Sequence, residues 1–170
     1  PVSIRIVKSR DARTLQQELL GNRTWLRPWE ATSPDGAVSF DMRLGIRRLL
    51  QQYRDGAGVP FVMEYDGEIA GQLNVWGIAR GSLESATIGY WVSHHRAGEG
   101  LAPRSVALVT DFAFEQLGLH RVQAGTLLHN EASQGVLARN GFEQFGLAPR
   151  YLEIAGAWQD HLLFQRLNEA

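Results

Sequence analysis

The chain predicts an α/β (α+β) fold, a mixed, mostly antiparallel twisted sheet of about six to seven strands flanked by helices. Three observations carry that expectation. Asp66-Gly67 separates two extended runs and is the strongest short-range hairpin signal in the chain. Ala102, Val106, Val109, Ala113 and Leu117 recur at helical spacing directly behind a glycine-rich loop. Two late extended runs, 151–154 and 161–164, flank Gly156 and predict a closing hairpin.

Taken in order, residues 4–7 read as a short first strand. A helix starts at Asp11, sets Ala12, Leu15 and Leu19 on one face and ends at Gly21. Residues 25–29 form an irregular aromatic segment. Residues 41–53 repeat apolar side chains at Leu44, Leu49, Leu50 and Tyr53, a second amphipathic helix punctuated by Asp55-Gly56. Residues 61–65, 68–78 and 85–92 give three antiparallel strands. Gly118 stands just past the helix that follows the glycine loop. Val122, Ala124 and Thr126 alternate as the next strand, and 132–140 is a short helix closed by Gly141.

At 170 residues and 44% hydrophobic content, the chain suits one domain, 1–170, with a substantial core. A net charge of −1 and the lack of a long Lys/Arg run disfavour direct nucleic-acid binding. The absence of cysteine excludes disulfides, thiolate metal sites and a cysteinyl acyl-enzyme, and it agrees with a cytoplasmic location. No window approaches the roughly 20 apolar residues that span a bilayer, so no membrane partner is expected.

The local order at residues 88–105 carries the chemistry. An extended run is followed by Gly98 and Gly100 and then by a helix start. Glycines leave no Cβ to block an anion, and their amides sit at the positive end of the helix, so a phosphorylated ligand is expected. The dinucleotide fingerprint G-x-G-x-x-G is not completed, because Pro103-Arg104-Ser105 stand where a third glycine is sought. No Gly-Lys-Ser/Thr occurs either, which excludes the mononucleotide P-loop. His94-His95 invites a metal reading, yet His120, His129 and His161 show no ligand spacing, and no metal is expected.

Ile88-Gly89-Tyr90-Trp91-Val92, Ala97-Gly98-Glu99-Gly100-Leu101-Ala102, His129-Asn130-Glu131-Ala132-Ser133 and Asn140-Gly141-Phe142, in that order, resemble the acyl-CoA-binding core of the GNAT N-acetyltransferases. Residues 22–30, 79–82 and 151–161 extend the resemblance to the RimJ branch, which acetylates the α-amino group of a ribosomal protein. Ala97 departs from the family, in which that loop position is often Gln or Arg; a side-chain contact is lost and the amides remain.

The resemblance implies acetyl-CoA as co-substrate and a protein N-terminus of the ribosomal type as partner. It places the cofactor's phosphates on Ala97, Gly98, Glu99, Gly100, Leu101 and Ala102, and its pantetheine along the backbone of Trp91 and Val92 and on the amide of Asn130. It places Ser133 near the sulfur as proton donor to the thiolate. Read as bare residues, Tyr90-Trp91-Val92 is also β-rich core, Asn130 a helix cap and Ser133 a common helix-start residue. Glu153 and Glu84 are the candidate bases, with Tyr151 as a further polar group; each glutamate also reads as a solvated charge. Arg96, Arg104 and Arg139 are phosphate contacts or surface arginines, and Trp25, Trp29 and Trp158 an acceptor wall or core. Monomer and homodimer both stay open, as do acetylation of a small amine and non-catalytic acyl-CoA binding.

Overall fold

The computed structural model describes residues 1–32 and 41–169. Its strands are β1 Val2–Ile6, β2 Val59–Tyr65, β3 Glu68–Ala79, β4 Ser85–Val92, β5 Arg121–Leu127, β6 Glu143–Ile154 and β7 Ala157–Leu167. The helices are α1 Ala12–Gly21, α2 Arg23–Leu26, α3 Met42–Arg54, α4 Leu101–Glu115 and α5 Glu131–Arg139. The strands form one sheet in the order β1-β2-β3-β4-β5-β7-β6.

Local chemistry accounts for the boundaries. Asp66 and Gly67 both take positive φ, 50° and 84°, as a two-residue hairpin turn that matches strand twist requires. Asp41 caps α3 by accepting the Leu44 N–H at 3.1 Å. Asp11 opens α1 without capping it, because its carboxylate already accepts the Lys8 N–H and both terminal nitrogens of Arg5.

Three expectations are corrected. The aromatic segment at 25–29 is helical: α2 runs into a 3-10 turn, Arg27–Trp29, in which Pro28 occupies an early position whose N–H needs no partner. The first strand is Val2–Ile6, and Val7 leaves it, donating to the Pro60 carbonyl and entering the core. The closing hairpin is far longer than 151–164, since β6 begins at Glu143. Bulges near Gly146 and Arg150 shift the β6 register, and most β6 residues are exposed, so no two-residue alternation survives in the sequence.

Helices cover both faces of the sheet. Val106, Val109 and Ala113 of α4 pack on Phe61, Leu73, Val75 and Val122. On the other face Ala12 and Leu15 of α1 and Ile46 of α3 enclose Val7 and Val62. Burial of this apolar surface is the main favourable term in folding.

The single parallel pairing opens the sheet. β4 and β5 are paired only through Ser85↔Arg121, Ala86↔Val122 and Thr87↔Gln123. β5 then follows β7 to Leu127↔His161, while β4 follows β3 to Val92↔Gly71. Among the described residues, those from Ile88 to Val92 therefore have no strand partner on the β5 side. A Cβ on Gly71 would collide with the Trp91 carbonyl oxygen, so the absence of a side chain there lets β4 lie close to β3 at the opening.

Candidate active site

A cleft of about 490 Å³ occupies the gap where β4 leaves β5. Tyr90, Trp91 and Val92 form its floor, and Ala97, Gly98, Gly100, Leu101 and Ala102 one rim. Asn130, Ser133, Val136 and Arg139 of the α5 region form the opposite rim, with Trp25 and Trp29 at one end. A second chamber of about 220 Å³ shares Leu26, Trp29, Tyr90 and Trp91 with the cleft and adds Arg23, Glu30 and Ala31.

The glycine rim is bare backbone. Gly98 and Gly100 have φ of +80° and +79°, and a Cβ on either would meet nothing within 4 Å. Glycine is needed there for the left-handed conformation rather than for space in the fold. Their amides donate to no group among the described residues, and the first N–H groups of α4 lack helical partners. This is an anion cradle, and the residues present fit a pyrophosphate.

Across the cleft the Tyr90 hydroxyl lies 3.1 Å from Ser133 Oγ. Burial pushes the Tyr90 phenol above its ordinary value, against smaller opposing effects from the Ser133 hydrogen bond and the Arg139 charge. Asn130 caps α5, its Oδ1 accepting the Ser133 N–H at 3.2 Å, while its amide nitrogen makes no hydrogen bond among the described residues. The cap and an exposed pantetheine contact are thus compatible.

The loop is anchored from beneath. Ser93 is fully buried and donates to Glu18 Oε2 at 2.6 Å. Asn22 donates to the Glu18 carbonyl at 2.6 Å and accepts the His94 N–H at 2.7 Å. Trp25 stacks on His94 with centroids 4.1 Å apart. The aromatic end of the cleft and the glycine loop are therefore held by one network.

Several predicted residues fall elsewhere. Glu84 is at the other end of β4, roughly 25 Å along the strand from Val92 at ~3.3 Å per residue. There it takes φ 42° and accepts from the Gly81 N–H and Arg80, a turn clasp outside the cleft. Glu153 does not line the cleft; its Oε1 accepts the Thr32 hydroxyl at 2.8 Å, and its carbonyl accepts the Thr32 N–H. Ala31, next to Thr32, bridges Ile154 and lines the second chamber, whereas Glu153 lines neither space. Trp158 is 55% exposed and Tyr151 45% exposed, and neither lines the cleft.

Glu99 is committed to Arg96, which also reaches Glu68 and lies over the Tyr65 ring. Arg104 is exposed and outside the cleft, whereas Arg96 and Arg139 line it. The histidines of the cleft region serve as ring partners, His94 to Trp25 and His129 to Trp29. Among the described residues no group of three His, Cys, Asp or Glu could hold a metal ion.

The sequence reading missed Tyr90 as a polar group, and with it Asn22, Glu18 and Ser93. Asn22 stands in a run singled out for family resemblance, but its contact with His94 spans residues too distant in sequence for any local signal.

Residues 2–143 match the family model described as Acetyltransferase (GNAT) domain. A solved structure of Mycobacterium smegmatis RimJ in complex with CoA-disulfide superposes with a TM-score of 0.93 at 38% identity, over 99% of this chain and 82% of that one. The [Ribosomal protein uS5]-alanine N-acetyltransferase of Escherichia coli is 31% identical over 94% of this chain and 84% of its own length. The probable N-acetyltransferase YjcK of Bacillus subtilis is 38% identical over 61% of this chain, and that match spans only 57% of its length. The chain belongs to the GNAT family and is an N-acetyltransferase of that type.

Proposed function

We propose that the chain transfers an acetyl group from acetyl-CoA to the α-amino group of a protein N-terminus, of the ribosomal-protein type, by direct attack in a ternary complex in the cytoplasm. The observation that carries the reading is Ser133 Oγ, held by the half-buried Tyr90 phenol in the gap between β4 and β5, in one cleft with a glycine rim whose Gly98 and Gly100 amides are free.

In this reading the free amides of Gly98, Gly100, Leu101 and Ala102 hold the pyrophosphate, while the Ala97 and Glu99 amides, donated to the His94 and Arg96 carbonyls, shape the loop instead of meeting the anion as expected. The backbone of Trp91 and Val92 on the side away from β3 aligns the pantetheine, and one of its amides polarises the thioester carbonyl. Asn130 completes the pantetheine contact. The amine nitrogen attacks the carbonyl carbon, the C–N bond forms and the C–S bond breaks. The departing thiolate takes its proton from Ser133 Oγ, which solvent reprotonates, and the proton lost by the amine leaves by water toward Glu153. An α-amine with pKa of about 7.7–8.0 is substantially neutral near pH 7.5, so weak assistance suffices.

The test is CoA thiol release with peptides beginning Ala, Ser or Thr, beside N-blocked lysine peptides. The protein has no cysteine and contributes no thiol background. Release with the free N-termini alone is expected. Release only with lysine side chains or polyamines would overturn the acceptor assignment.

A further inference from the structure

A groove of about 410 Å³ lies between α3 and the turn at Ser9–Asp11, lined by Ser9, Arg10, Arg43, Arg47, Leu50 and Arg54. None of these residues lines the catalytic cleft. At 3.6 residues per turn, Arg43, Arg47, Leu50 and Arg54 fall within a sector of roughly 60° on α3. The stripe is therefore a mainly cationic wall, interrupted by Leu50 and faced by Arg10.

Among the described residues, no acid pairs with the α3 arginines of the groove. α3 contains no acidic residue between Met42 and Arg54. Asp41 is spent on the helix cap, and Asp55 accepts from Gln51 rather than from Arg54. Asp11, beside Arg10 in sequence, is held by both terminal nitrogens of Arg5. Arg43 and Arg47 make no ion pair or hydrogen bond among the described residues. Like charges four residues apart on a helix repel and weaken it, so the stripe does not serve the stability of α3.

Guanidinium forks match phosphate oxygens in pairs, and a linear array of them suits a linear polyphosphate. Leu50 and Ser9 are the other lining residues, so guanidinium–phosphate pairing is the main contact that the groove offers. We propose that this groove docks the phosphodiester backbone of RNA, without sequence preference. Resting on the reading above, the RNA is that surrounding a ribosomal-protein acceptor. The net charge of −1, which disfavoured nucleic acid at the level of the sequence, is an average that the folded surface resolves into a basic face.

The experiment is fluorescence anisotropy of a labelled RNA of about 20 nucleotides with the full chain, between about 50 and 200 mM salt. Binding is expected to weaken with log salt at a slope of about −2 to −3, from roughly −0.7 per phosphate on a single strand. Arg10→Gln/Arg43→Gln/Arg47→Gln is expected to bind at least about tenfold more weakly with a slope shallower by about 2. Arg48→Gln, roughly a third of a turn round α3, is expected to bind like the unaltered chain. A melting curve confirms the fold of each variant, and Arg47→Gln alone serves if the triple variant unfolds. No RNA binding near 50 mM salt, equal binding by the triple variant, or tighter binding of a polyglutamate of matched charge would each overturn the proposal. The assay needs no acceptor, so it succeeds or fails independently of the peptide acetylation that tests the catalytic reading.

Discussion

The Tyr90 hydroxyl and Ser133 Oγ stand 3.1 Å apart, one on the half of β4 that has parted from β5 and the other in the first turn of α5. A phenol kept protonated by burial can donate to the serine oxygen and leave the serine proton for the sulfur. Tyr90 then acts through Ser133 as a positioning residue.

That relation predicts a non-additive pair. Ser133→Ala is expected to lower kcat by about 10²-fold, the lower end of general acid catalysis. Tyr90→Phe alone is expected to lower it by about tenfold with the KM for acetyl-CoA unchanged, and to add nothing in the Ser133→Ala background. Initial rates of thiol release give the cycle; losses that multiply would mean the two hydroxyls act separately. Because the phenol is shifted upward, its ionisation should produce no alkaline fall in rate below about pH 10.

The glycine rim predicts loss of binding by filling. Gly100→Trp is expected to abolish acetyl-CoA binding in calorimetry, since the added ring lies over the free amides. Gly100→Ala adds little bulk but forces a side chain into φ +79°, costing about 1–2 kcal/mol of stability. Its melting temperature should fall before its affinity does.

The two glutamates should separate cleanly. Glu84→Ala removes the clasp on Gly81 and Arg80, with an expected loss of about 1 kcal/mol and an unchanged kcat/KM for the folded enzyme. Glu153→Gln is expected to lower kcat/KM for an N-terminal peptide below about pH 8 and to converge on the unaltered enzyme as the amine becomes neutral by itself. A deficit constant from pH 6.5 to 9 would show that Glu153 has no part in proton removal.

Asp11 predicts an acid-sensitive contribution to stability. The Arg5 hydrogen bond, helped by the Lys8 N–H and nearby positive charge, holds the carboxyl below its usual value despite the opposing effect of burial. A depressed acid stabilises the fold above the unfolded pKa of about 3.9, and that contribution fades as pH falls through the lower folded value. Asp11→Asn is expected to cost about 1.5–3 kcal/mol at neutral pH, and urea melts at pH 7 and pH 3 should show the deficit shrinking in acid.

Features carried by neighbours in sequence were legible before the structure. The Asp66-Gly67 turn and the glycine rim each depend on a few consecutive residues. The bulged β6 strand was not, because its mostly exposed side chains show no alternation. Nor was the position of Glu84, which the sequence leaves beside β4 without saying that the cleft lies at the opposite end.

By itself the sequence determined the alternation of strands and helices, the bare backbone at Gly98 and Gly100 and the N-cap of α5. These follow from side-chain period and backbone freedom, both local properties. Only the tertiary structure decided that β4 and β5 part after Thr87, that Tyr90 meets Ser133, that Asn22 braces His94 and that four arginines share one groove. Each of these joins groups made neighbours by sheet order and helix packing, and no local pattern encodes a distance across a fold.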